Sequence, residues 1–151
     1  MFAQRTALVV EDDAGIGQLI STILSKRGYR TLQASTENAA AACAELFPNR
    51  IDLVVCDVVL RFESGPAVAA RVCKFCPEAK VLFISGLPID MLFERNLMRP
   101  DDLADGKSFY LQKPFLPDEL GRFIELILPT ACDPPRLDLK GETIENAYTA
   151  Y

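Results

Sequence analysis

Five short strand-like runs, each followed by a polar step and then by a stretch of helical spacing, leave this chain few folds. The runs are "TALVV" (6–10), "YRTLQA" (29–34), "IDLVVC" (51–56), "KVLFI" (80–84) and "SFYLQ" (108–112). A continuous apolar run such as the first has the pattern of a strand covered on both faces, as strands of parallel sheets are. Between the runs the period changes. Ile16, Leu19, Ile20, Ile23 and Leu24 recur at i, i+3, i+4, i+7 and i+8, forming one apolar helical stripe with Gly28 as its stop. Ser35 or Thr36 caps an Ala-rich helix that ends near Pro48. Ser64, Gly65 and Pro66 start a third helix, with Val68, Val72 and Phe75 on one face and a stop at Pro77. Residues 88–98 are expected to be helical, and Leu120, Phe123, Ile124, Ile127 and Leu128 give a last amphipathic helix after Pro117. Five strands alternating with five helices predict a doubly wound α/β fold, (βα)5, around a five-stranded parallel sheet.

Composition narrows the function. At 151 residues the chain has the size of one domain with a real core. Half the residues are apolar and a formal net charge of −5 argues against broad binding to nucleic acid or to an anionic membrane. No stretch approaches the roughly 20 apolar residues of a membrane span. The start, "MFAQRTALVV", lacks the regions of a signal peptide, so the expected location is cytoplasmic. Periodicity fades from Pro129 onward, which sets an expected domain at 1–128 and a tail at 129–151 without an output module. The five cysteines are odd in number and have mostly apolar neighbours, so they read as reduced thiols; "CKFC" (73–76) has redox spacing but no second pair. There is no histidine, which removes His-based acid–base chemistry and any phosphohistidine within this chain.

The polar residues fall at one end of the strands. Glu11, Asp12 and Asp13 follow the first run, Asp57 the third, Ser85 the fourth and Lys113 the fifth. In a doubly wound sheet, ligands bind beyond the carboxyl ends of the strands, where strand order reverses. Carboxylates crowded into one site raise one another's pKa unless a cation is present. Oxygen ligands without His or thiolate suit a hard divalent ion, most naturally Mg²⁺, which also takes phosphate oxygens. Lys113 supplies a point charge and Ser85 a hydrogen bond for a phosphoryl group, and a remaining carboxylate can act as nucleophile. Each residue alone is unremarkable, because acids after strands, a Lys-Pro pair and a Ser before Gly86 are ordinary loop features. Their conjunction at four of the five strand ends carries the reading.

In order along residues 4–128, "LVVEDD", "LVVCDVVL", "FISG" and "YLQKPF" resemble the receiver domain of bacterial two-component response regulators. The resemblance implies the flavodoxin-like strand order 2-1-3-4-5. It also implies that Asp57 is the phosphoacceptor, that Asp12, Asp13 and Asp57 hold Mg²⁺ with the backbone carbonyl of Val59, and that Lys113 binds the phosphoryl group. Ser85 stands where the family has Thr or Ser, and Tyr110 matches the aromatic whose rotamer follows phosphorylation. The implied partners are a histidine kinase or phosphotransfer protein as donor and a downstream protein target, and a homodimer is compatible with them. The chain departs from the family where Leu60 and Arg61 replace a frequent Met-Pro pair, and where the segment from Ser85 to Lys113 is longer than usual. Val59 has no polar side chain to orient an attacking water, so slow self-dephosphorylation is expected.

Three other readings are weaker. A pseudo-receiver, binding partners without phosphate control, would not need the intact set of Asp12, Asp13, Asp57, Ser85 and Lys113. A Mg²⁺-dependent phosphohydrolase would want an acid–base carboxylate two residues beyond Asp57, where Val59 stands. A dinucleotide-binding enzyme would want Gly-x-Gly-x-x-Gly in the first turn, which is "EDDAGIG".

Overall fold

The computed structural model describes residues 4–129. Its elements, in chain order, are β1 (Thr6–Val10), α1 (Ala14–Lys26), β2 (Arg30–Ala34), α2 (Glu37–Leu46), β3 (Leu53–Asp57), α3 (Gly65–Phe75) and β4 (Lys80–Ser85). They continue with α4 (Ile89–Glu94), a 3-10 turn at Pro100–Leu103, β5 (Ser108–Gln112) and α5 (Pro117–Ile127). All strand pairings are parallel, and the order is β2-β1-β3-β4-β5. The doubly wound fold and the strand order expected from sequence are therefore what the chain adopts. The expected tail lies outside the described residues, apart from Pro129 at its start.

Burial follows the strand positions. Every residue of the inner strands β1 and β3 is buried, whereas the edge strands expose Arg30, Gln33 and Gln112. Alternate residues of β1, β3 and β4 therefore face opposite layers. On one face Ala7, Val9, Leu53, Val55, Leu82 and Ile84 pack with Ile20 and Leu24 of α1 and Leu120 and Ile124 of α5. On the other, Leu8, Val10, Val54, Cys56, Val81 and Phe83 pack with Ala40 and Ala44 of α2, Val68 and Val72 of α3, and Leu92 of α4. The alanines of α2 hold that helix close without large side chains. Arg27, after α1, lies across Gly121 of α5, where a Cβ would come within 2.2 Å of its Nε. Among the described residues no helix is long and apolar enough to cross a membrane.

Helix ends match the sequence signals at most points. Thr36 caps α2 by accepting from Ala39 N at 3.1 Å, Ser64 caps α3, and Gly28 leaves α1 with φ of +91°. The exception is the helix expected over 88–98, which stops at Glu94. Asn96 adopts φ of +55°, and Leu97 N donates back to Leu92 O at 2.9 Å, a left-handed helix stop. That stop turns Leu97 and Met98 back onto the core beside Leu92, so apolar spacing continues through 98 while the helix does not.

Candidate functional site

The carboxyl ends of β1, β3, β4 and β5 converge beside the gap where strand order reverses between β1 and β3. Asp57 is the last residue of β3 and is buried. Its Oδ2 accepts from Lys113 Nζ at 2.8 Å and its Oδ1 from Val59 N at 2.9 Å, so both carboxylate oxygens are oriented. Lys113 follows β5 directly, and its backbone N donates to Ser85 O at 2.7 Å, tying the ends of β5 and β4 together. The Lys113–Pro114 peptide is cis.

Glu11 is the residue that sequence reading left out of the site. Its side chain is 2% exposed, its Oε2 lies 3.7 Å from Lys113 Nζ, and its Oε1 accepts from Asp13 N at 3.2 Å. Oε2 is buried without a hydrogen-bond partner. Burial, then the neighbouring Asp57 charge, push the Glu11 carboxyl up to about 7. Lys113 is moved up from its ordinary value; burial opposes the shift, and the bond to Asp57 with the charges of Asp57, Glu11 and Asp12 outweighs it. Lys113 thus stays firmly cationic among carboxylates.

The other acids divide. Asp12 is exposed and its Oδ2 accepts from Arg61 N at 2.7 Å. Asp13 Oδ1 accepts from Ile16 N at 3.0 Å and caps α1. The structure brings Glu11, Asp57 and Lys113 together, with Asp12 close enough for its charge to act on Lys113, and places Asp13 at the helix start instead. A carboxylate directly before a helix with three orphan amides has its own local use, which explains why three acids in a row do not all enter the site. The signal for Glu11 was its immediate attachment to a fully buried strand, since Asp12 and Asp13 lie further out along the loop.

The loop after Asp57 is a small hairpin. Val59 bridges Ser64 through Leu60 N to Glu63 O at 3.2 Å and Gly65 N to Val58 O at 2.9 Å, bonds that leave the Val59 carbonyl out. Gly65 sits so close to β3 that a Cβ there would lie 2.1 Å from the Asp57 carbonyl oxygen. Glu63 Oε2 accepts from Glu37 N at 2.7 Å, which ties the hairpin to the first turn of α2. Ser85 is buried at the end of β4, and its Oγ accepts from Leu87 N at 3.1 Å. Tyr110 is half-buried in β5, and its hydroxyl donates to the Leu87 carbonyl and lies 3.4 Å from the Ser85 carbonyl oxygen. Ser85 and Tyr110 therefore hold the same turn after β4 from two sides. Burial raises the Tyr110 phenol, with Asp57 adding to the shift.

A family model described as the response regulator receiver domain matches residues 7–125. The chain belongs to this family. Receiver domains are the signalling modules of two-component systems, and their fold accounts for the strand order found here. The chain is 32% identical over 123 residues to "Sensor kinase CckA" of Brucella abortus (strain 2308), covering 82% of this chain and 12% of that kinase. It is 29% identical over 127 residues to "Response regulator receiver protein CpdR" of the same strain, covering 84% of this chain and 99% of that protein. It spans less than half the length of several other curated relatives. The solved receiver domain of NtrX from Brucella abortus superposes with a TM-score of 0.68 at 28% identity, covering 83% of this chain and 99% of that one.

Receiver domains generally bind Mg²⁺ at the acidic phosphorylation site. The oxygen-only donors here fit such an ion, and the buried orphan Oε2 of Glu11 is an acceptor in want of a proton or a cation. As the side chains stand, no three acidic or thiol groups among the described residues converge closely enough to hold a metal between them. Asp12 and Asp13 are each engaged by a backbone amide elsewhere.

Proposed function

We propose that this receiver domain, taken as residues 1–128, accepts a phosphoryl group on Asp57 from a histidine kinase or phosphotransfer protein and signals by protein contact. The observation that carries the reading is the 2.8 Å contact between Lys113 Nζ and Asp57 Oδ2 at the buried end of β3. That ammonium fixes one carboxylate oxygen and stands ready to neutralise the phosphoryl oxygens that arrive. In the transfer, one Asp57 oxygen bonds to phosphorus, the phosphorus–nitrogen bond of the donor phosphohistidine breaks, and the imidazole leaves. None of these 151 residues is a histidine, so the donor residue lies outside them. The family interacts with such donors and with downstream targets.

Asp12 and Asp57, with the Val59 carbonyl, are the groups that would hold Mg²⁺, and Glu11 lies alongside them; Asp13 was also expected here, and its cap bond must break first. Bound there, the ion supplies charge neutralisation for the phosphoryl group. Ser85 has a hydroxyl free to turn from Leu87 N toward a new phosphoryl oxygen. Such a turn would release one of the two holds on the segment that Tyr110 also grips, and so transmit the change toward α4 and β5.

The test is intact mass after incubation with Mg²⁺ and a small-molecule phosphodonor, with Asp57→Asn in parallel. A phosphoryl adduct on the wild type alone supports the reading. No adduct, with small donors and with several phosphorylated histidine kinases, would leave a pseudo-receiver instead.

A further inference from the structure

Two backbone amides of the hairpin after Asp57 donate into the acidic pocket, Val59 N to Asp57 at the base and Arg61 N to Asp12 at the tip. Arg61 N donates to Asp12 Oδ2 at 2.7 Å, across 49 residues of sequence. Arg61 and the 89%-exposed Phe62 form the hairpin tip, while Leu60 is buried and Glu63 is fastened to Glu37 N. The tip is therefore held to the rest of the molecule on one side by α2 and on the other by Asp12. Asp12 is the acid bonded to the hairpin tip, and as the side chains stand no three acidic or thiol groups among the described residues converge on a metal position.

We propose that the Arg61 main-chain N–H is a latch on Asp12, so that a cation ligated through Asp12 Oδ2 displaces this bond and frees the hairpin tip. The proposal rests on the receiver reading and on the Mg²⁺ site given above. An amide and a metal that both draw on Asp12 Oδ2 compete for the charge of that one oxygen. Two consequences follow from that competition. The latch weakens Mg²⁺ binding relative to an unlatched pocket, and Mg²⁺ loosens Arg61 and Phe62. The charged Arg61 side chain plays no part, because the donor is the backbone.

The experiment is a Mg²⁺ titration of ¹⁵N-labelled protein by calorimetry and amide NMR, on the wild type, Arg61→Pro and Arg61→Ala. Proline removes the N–H, and alanine keeps it. The expected result has four parts. The wild type binds Mg²⁺, its Arg61 amide shifts upfield and loses exchange protection as Mg²⁺ is added, Arg61→Pro binds roughly three- to ten-fold tighter, and Arg61→Ala stays within about two-fold. Binding with an unmoved Arg61 amide, or an Arg61→Pro affinity equal to or weaker than wild type, overturns the latch and leaves the metal site standing. A flat wild-type isotherm at millimolar Mg²⁺ overturns the metal site and the latch with it. Should Arg61→Pro fail to fold, the amide response of the wild type decides the matter alone.

Discussion

Replacing Glu11 with Gln should abolish a fall in stability with rising pH that the wild type shows near neutrality. The Glu11 carboxyl sits at about 7 in the folded protein, against 4.5 when free. Between those values the folded chain keeps the proton while the unfolded chain has released it. Unfolding then releases a proton, so stability is greatest below the unfolded pKa and is lost as pH rises through the folded one. From pH 5.5 to 7.5, a group with this shift changes stability by about 2 kcal/mol, taken at about 1.4 kcal/mol per unit. No histidine titrates in this window, because the chain has none. Urea unfolding at each pH, with a chelator present to remove divalent ions, gives the two slopes. Gln presents the same shape without the ionisation, so Glu11→Gln should be flat and should exceed the wild type at pH 7.5. Equal slopes in the two proteins, or a wild-type stability that rises over this range, would refute the assignment of a neutral, buried Glu11 beside Asp57 and Lys113.

Two further predictions concern the hairpin. Gly65→Ala puts a methyl group 2.1 Å from the Asp57 carbonyl oxygen and 2.8 Å from Val58 Cα, backbone atoms that cannot swing aside. It should cost about 2–3 kcal/mol and lower Tm by several degrees in calorimetry, and an unchanged Tm would show that the two segments separate freely. Val59 is exposed two residues beyond Asp57 and offers no group to orient water. In purified protein with Mg²⁺, Val59→Asn should shorten the acyl-phosphate lifetime on the order of ten-fold, less than the roughly 100-fold or more of a general acid or base because Asn orients water without taking its proton, and an unchanged lifetime would remove this position from hydrolysis.

Most of the fold was legible because each strand carried its own evidence of burial and each helix its own stop. The run 6–10 is fully buried, as a continuous apolar run implies. The shortened α4 was not legible, because Leu92, Leu97 and Met98 are all core residues and periodicity alone cannot show that the chain turns left-handed at Asn96 between them. Within the site, Asp57 and Lys113 were readable since each ends or follows an inner or neighbouring strand at the same rim. The division of labour among Glu11, Asp12 and Asp13 was not. It depends on which carboxylate points inward from β1 and which amide is free to receive the others, and both are set by the start of α1 and by a hairpin some 50 residues away. Arg61 illustrates the same limit. In sequence it is part of a departure from a frequent Met-Pro pair, while in three dimensions its consequence is a donor aimed at Asp12.

The charges of the pocket explain why it should answer to phosphate at all. Glu11, Asp12 and Asp57 against Lys113 leave a formal excess of two negative charges when every group is ionised. The folded protein relieves part of this by keeping a proton on Glu11 near neutrality, and part by lending the Arg61 amide to Asp12. A phosphoryl group on Asp57 replaces one negative charge by about two and adds acceptor oxygens. Neither relief can meet that increase, since one proton and one amide are already committed. On the proposed reading the phosphorylated pocket would need a divalent cation beside Lys113, and Asp12 and Asp57 would turn from the Arg61 and Val59 amides that they now accept from. On the proposed reading, phosphorylation would be coupled to loosening the Arg61 contact at the hairpin tip and to engaging Ser85, so a charge added at one buried carboxylate would reach two separate surface segments.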